Sequence, residues 1–118
     1  MQAPGILNIT IHQGASWDLT LTWKTGNPSA LVNLTGYTAR MQIREKAISP
    51  NASATLTSSN GKIALGGVLG TVALSLSAAD TSAIVPGNYV YDLEMVSPTG
   101  YVTRLVEGKA RVTPEITR

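Results

Sequence analysis

Asp92 and Glu94, two residues apart, are the pair whose types and spacing best suit chemistry. Tyr89, Tyr91, Leu93 and Met95 alternate with Val90, Asp92, Glu94 and Val96, so a strand sets both acids on one face, about 7 Å apart. Inverting glycosidases use carboxyl separations in that range, one acid protonating the leaving group while the other activates water. Arg40 and Arg44 share a strand face in the same way. If the two strands are neighbours, cross-strand ion pairs account for all four charges without catalysis, and this structural reading is preferred. His12 is the one histidine and has no second ligand at metal spacing. A Ser/His/Asp relay would need residues brought together by folding, and no G-x-S-x-G elbow supports one. The sequence therefore offers no catalytic, cofactor-binding or metal-ligating residue, and it is expected not to be an enzyme.

The remaining motifs yield plain structural readings. Gly66-Gly67-Val68-Leu69-Gly70 lacks the Lys-Ser/Thr and the long helix of a phosphate loop, so it is read as a tight turn. Asn8, Asn33 and Asn51 fit the glycosylation pattern, but no secretory leader accompanies them. Trp17 and Trp23 suit a sugar platform; on the apolar side of a strand they are read as core. Nucleic acid is excluded as a partner because the chain has neither a basic cluster nor a stacking platform. The net charge of +2 at pH 7 is too small and too scattered to serve as an electrostatic footprint.

Composition limits the elements that must position these residues. The 118 residues form one domain, 1–118, with short extensions at 1–5 and 114–118 suited to reaching a neighbouring subunit. Hydrophobic residues at 43% and charged residues at 14% are those of a globular chain with one core, and the absence of Cys rules out disulfides and thiolate sites. No apolar run approaches the roughly 18 residues of a membrane span, and no membrane partner is expected.

The dominant period is two. Strands are expected at roughly 6–12, at Trp17–Lys24, at Tyr37–Arg44, near Ala54–Thr57, at Lys62–Leu65, at Thr71–Leu76, at Tyr89–Val96 and at Tyr101–Val112. Thr25-Gly26-Asn27-Pro28 and Ser97-Pro98-Thr99-Gly100 are turn chemistry. Asn60-Gly61 is read as a two-residue hairpin turn joining its flanking strands. Ser77 and Asp80 form a capping box for a helical turn or two over Ser77–Ile84. Gly108, inside the last strand, is read as marking a bulge. Arg104, Lys109 and Arg111 on that strand would blunt an edge or dock it. The expected fold is all-β: an antiparallel β-sandwich, immunoglobulin-like or jelly-roll-like, of seven or eight strands with at most one short helix.

Five stretches together carry a family likeness: Ile11–Trp23 (IHQGASWDLTLTW), Leu34–Arg44 (LTGYTARMQIR), Gly61–Gly67 (GKIALGG), Gly87–Glu94 (GNYVYDLE) and Val106–Arg118 (VEGKARVTPEITR). The sequence resembles small virion structural proteins of tailed bacteriophages, cyanophage types included, and the N-terminal domain of phage baseplate upper proteins. The likeness covers roughly residues 6–118. It implies a β-sandwich assembly module located in the virion, a tail, baseplate or fibre-attachment component. Its partners would be other phage virion proteins, tail/baseplate or capsid, within a homo-oligomer or symmetric assembly. The sequence departs from the family by stopping at Arg118, with no following coiled coil or receptor-binding segment. That sets a capsid cement or decoration protein beside the first expectation, with host-surface carbohydrate binding as a third.

Overall fold

An alternating strand buries only half its side chains, so it needs a second layer, and the chain supplies one by folding into facing sheets. The computed structural model describes residues 4–26 and 28–117. Ala3, Asn27 and Arg118, which belong to the expected N-terminal extension, first turn and C-terminal tail, lie outside the described residues. In chain order the strands are β1 (Gly5–Ile6), β2 (Ile9–His12), β3 (Trp17–Thr22), β4 (Lys24–Thr25), β5 (Ala30–Leu31), β6 (Thr38–Arg44), β7 (Ala54–Thr57), β8 (Ile63–Leu65), β9 (Thr71–Leu76), β10 (Gly87–Val96) and β11 (Val102–Thr113). One α-helix, α1 (Ala78–Ser82), occurs among the described residues and follows β9.

The larger sheet runs β7–β6–β10–β11, with β1 and β2 both on the far side of β11. The smaller sheet runs β8–β9–β3, and β4 and β5 form a separate hairpin. Between the sheets lies one apolar core. The larger sheet contributes Met41, Ile43, Leu56, Leu93 and Met95, and the smaller contributes Ile63, Val72, Leu74 and Leu76. Trp23 is buried and meets Tyr37 edge-on, with ring centroids 6.0 Å apart. Trp17 is only half-buried at the margin of this core. The all-β sandwich expected from the period-two pattern is the architecture observed.

Four local expectations are corrected by the pairing. The expected strand at 6–12 is two segments, and they run parallel to the last strand, with Gly5 opposite Val106 and Ile9 opposite Ala110. Leu7 and Asn8 interrupt it beside Gly108, where a Cβ would stand 2.2 Å from the Leu7 carbonyl oxygen. Gly108 is therefore required by the close approach of another backbone, not by a bulge at its own position. The bulge lies three residues earlier. Leu93 pairs with Val106 and Glu94 with Arg104, leaving Leu105 as the extra residue. β1 and β2 cover β11 from Val106 onward, so Lys109 and Arg111 guard no edge, whereas Arg104 lies on the part of β11 paired with β10 alone.

The fourth correction concerns Asn60-Gly61. β7 pairs with β6 in one sheet and β8 with β9 in the other, so these two residues turn a corner between layers rather than closing a hairpin. Asn60 Oδ1 accepts from the backbone N–H of Thr57 and of Lys62, both at 3.0 Å, and Gly61 takes φ +82°. An Asn-Gly pair suits either geometry: a type I′ hairpin takes both residues at positive φ, whereas here only Gly61 does and Asn60 supplies the side-chain acceptor.

The capping box at α1 forms as expected. Ser77 N–H donates to Asp80 Oδ2 at 2.9 Å, and Asp80 N–H donates to Ser77 Oγ at 3.1 Å. These bonds hold the Asp80 carboxyl below its usual range, the Ser77 backbone being the main cause. Thr81 ties the helix to the β2–β3 turn. Its fully buried hydroxyl donates to the Ala15 carbonyl at 2.9 Å and accepts from Gly14 N–H at 3.0 Å.

Candidate functional site

The outward face of the larger sheet carries the charged residues that the sequence singles out. Register places Glu94 opposite Arg40, Asp92 opposite Gln42, and Val90 opposite Arg44. Arg40 Nε lies 2.8 Å from Glu94 Oε1, the cross-strand ion pair expected from the spacing. Arg44 departs from that expectation. Its guanidinium donates to Gln42 Oε1 at 2.7 Å and to the Ser49 carbonyl at 2.8 Å. The partner of Asp92 is Arg104 on β11, at 3.4 Å, and Arg104 also reaches Glu107 at 3.2 Å.

The Leu105 bulge makes that last arrangement possible. Three residues apart on a regular strand, Arg104 and Glu107 would point to opposite faces. The extra residue restores Arg104 to the outer face, while Leu105 and Val106 both pack toward the core. Sequence reasoning missed Arg104 and Glu107 as members of the strip for this reason. A glycine in the same strand was the available signal of irregularity, but it does not locate the slip.

The strip lines an open groove of about 440 Å³ bordered by Gln42, Arg44, Asp92, Glu94, Arg104 and Glu107. Partial burial, followed by the like charge of Glu94, pushes the Asp92 carboxyl above its usual range, and the Arg104 guanidinium opposes both. The arrangement braces three strands by charge: β6 to β10 through Arg40, and β10 to β11 through Arg104. Exposed pairs of this kind contribute little each, roughly 0–1 kcal/mol, so their main effect is to favour this register over its neighbours.

The other candidates lie apart from the strip. His12 sits at the end of β2 with Nδ1 2.7 Å from Thr113 Oγ1. No group of three or more His, Asp or Glu that could hold a metal occurs among the described residues. Trp23 is buried and offers no ring face to solvent, while Trp17 is half-covered. Gly66–Gly70 forms the β8–β9 turn, a single 3₁₀ turn over Gly67–Leu69 with Gly70 at φ +66°. No helix among the described residues is long and apolar enough to cross a membrane. No protein-family model matches the chain, and no curated protein matches it either.

Proposed function

We propose that the chain is a non-enzymatic structural component of a tailed-phage virion, a tail, baseplate or fibre-attachment module that works by burying surface on other virion proteins. The observation that carries this reading is the pairing of the strip: Glu94 is matched by Arg40, and Asp92 and Glu107 by Arg104. Carboxylates engaged in this way act as cross-strand braces, the role that explains them without a reaction. The family-like stretches support the same reading, since they coincide with β3, β6, β10 and β11, the strands of the sandwich itself. Exposed apolar side chains add to it: Ile6, Val85, Tyr101 and Ile116 are between 66% and 91% exposed.

Mass spectrometry of purified particles tests the proposal. The polypeptide is expected in washed virions, at a low copy number in multiples of three or six for a tail or baseplate part. Copy number approaching that of the capsid protein would move it to capsid cement or decoration. Finding it in infected-cell lysate and never in particles would defeat the virion reading altogether.

A further inference from the structure

The outward face of the larger sheet is charge-matched in its middle and unmatched at one end. Arg40 and Arg104 engage Glu94 and Asp92, and Arg44 engages Gln42 and the Ser49 carbonyl. Beyond Glu107 the matching stops. Lys109 and Arg111, both exposed, follow on that face of β11, about 7 Å apart. Neither side chain has an ion pair or a hydrogen bond among the described residues. Register sets Arg111 between Asn88 on β10 and Thr10 on β2, and Lys109 beside Val90. The side chains of Asn88 and Thr10 are likewise without partners among the described residues. Asn8 Oδ1 accepts from the Lys109 backbone N–H at 3.0 Å, which leaves its Nδ2 as a donor. These residues border a groove of about 520 Å³, separate from that of the matched strip. Small-ligand sites span roughly 300–1,000 Å³.

We infer that this groove is a saccharide site, away from both tryptophans, and that it takes a sugar unit bearing one carboxylate. The class of ligand follows from what borders the groove. Two unmatched cations call for an anion, and the planar guanidinium of Arg111 suits a carboxylate bidentately. Asn8, Asn88 and Thr10 add neutral donors and acceptors, the chemistry that recognises hydroxyls rather than a second charge. Half-buried Val90 supplies apolar surface for ring carbons. Glu45 decides between acidic ligands. Its residue is exposed and also borders the groove. A carboxylate there accepts hydrogen bonds from sugar hydroxyls but repels a ligand charged at every unit. A polyacidic peptide or a nucleic acid is thereby disfavoured, and a singly charged sugar is not. The inference goes beyond the virion reading, because it concerns the isolated chain and holds or fails without particles.

NMR titration of the isotope-labelled chain tests it. The probes are the methyl glycosides of galacturonic, glucuronic and N-acetylneuraminic acid, with methyl galactoside as the neutral control and tri-glutamate as the acidic-peptide arm. At least one acidic glycoside is expected to shift the amides of Thr10, Asn88 and Arg111 and to bind about tenfold more tightly than either control. Arg111→Gln should weaken that binding about tenfold and Lys109→Gln about threefold, and both variants should melt with the parent because both positions are exposed. Glu45→Gln should strengthen the binding of tri-glutamate more than that of the sugar. No shift at those amides with any acidic glycoside would overturn the inference. So would equal binding of methyl galactoside, tighter binding of tri-glutamate by the parent, or an Arg111→Gln variant that binds as the parent does.

Discussion

Replacing Gly108 with alanine tests how the N-terminal segment is held to the sheet. The added Cβ would lie 2.2 Å from the Leu7 carbonyl oxygen, 2.8 Å from its carbon and 3.1 Å from Asn8 Oδ1. Two of those atoms are backbone, so no rotamer change relieves the clash and the segment itself must move. Three hydrogen bonds go with it: Leu7 N–H to the Glu107 carbonyl at 3.0 Å, Lys109 N–H to Asn8 Oδ1 at 3.0 Å, and Tyr91 Oη–H to the Leu7 carbonyl. At about 1 kcal/mol each, their loss destabilises by about 3 kcal/mol. With an unfolding entropy of about 2.1 cal/mol/K per residue over 118 residues, the melting temperature should fall by about 12 °C. Circular dichroism melts give the stability, and amide exchange at residues 5–12 locates the loosening. Gly87→Ala is the control, since its Cβ would meet nothing closer than Tyr89 Cε1 at 3.8 Å. A Gly108→Ala protein that melts with the parent and protects those amides equally would refute the crossing geometry.

Two further outcomes follow from buried polar groups. Thr81→Val keeps the shape but strips the donor to Ala15 and the acceptor for Gly14, so it should cost about 2–3 kcal/mol by chemical denaturation; a loss below about 0.5 kcal/mol would show that the turn does not depend on α1. Burial pushes the Tyr91 hydroxyl up to about 12, above the ordinary value of 10.0. A phenol whose folded pKa is raised contributes stability fully present below pH 10, and that contribution is lost as pH rises through about 12. In a spectrophotometric titration at tyrosinate wavelengths, the highest-pH step should vanish in Tyr91→Phe; its persistence would assign the step to another tyrosine.

The layers of this fold were legible because alternation is a local signal with a local cause. β3, β6 and β9 fall where the period-two runs place them, and the Ser77–Asp80 box caps the helix it predicts. What stayed hidden was pairing between distant segments. Nothing in residues 6–12 announces that they lie parallel to the last strand, because direction is decided by the whole chain path. Asn60-Gly61 reads as a hairpin turn and is a corner between sheets, since the same two residues serve either. Half of the charged strip is legible: Arg40 and Arg44 share one strand face and Asp92 and Glu94 another, which implies cross-strand pairs without saying which charges meet. The rest depended on the bulge at Leu105, which shifts Arg104 by one position relative to any regular alternation.

That shift shows why carboxylate spacing on a strand says little by itself. Any acids at i and i+2 stand about 7 Å apart on one face, whatever they do. Their role is set by the neighbouring strands, here by Arg40 fifty-four positions away in sequence from Glu94 and by Arg104 across the β10–β11 hairpin. Charges matched across strands in this way have a short-ranged field, since each is offset by a partner a few ångströms away. On the smaller sheet no such charge matching is needed, because the inner face of the edge strand β3 carries only Trp17, Leu19 and Leu21. The charged face thus braces the larger sheet and favours this register over its neighbours.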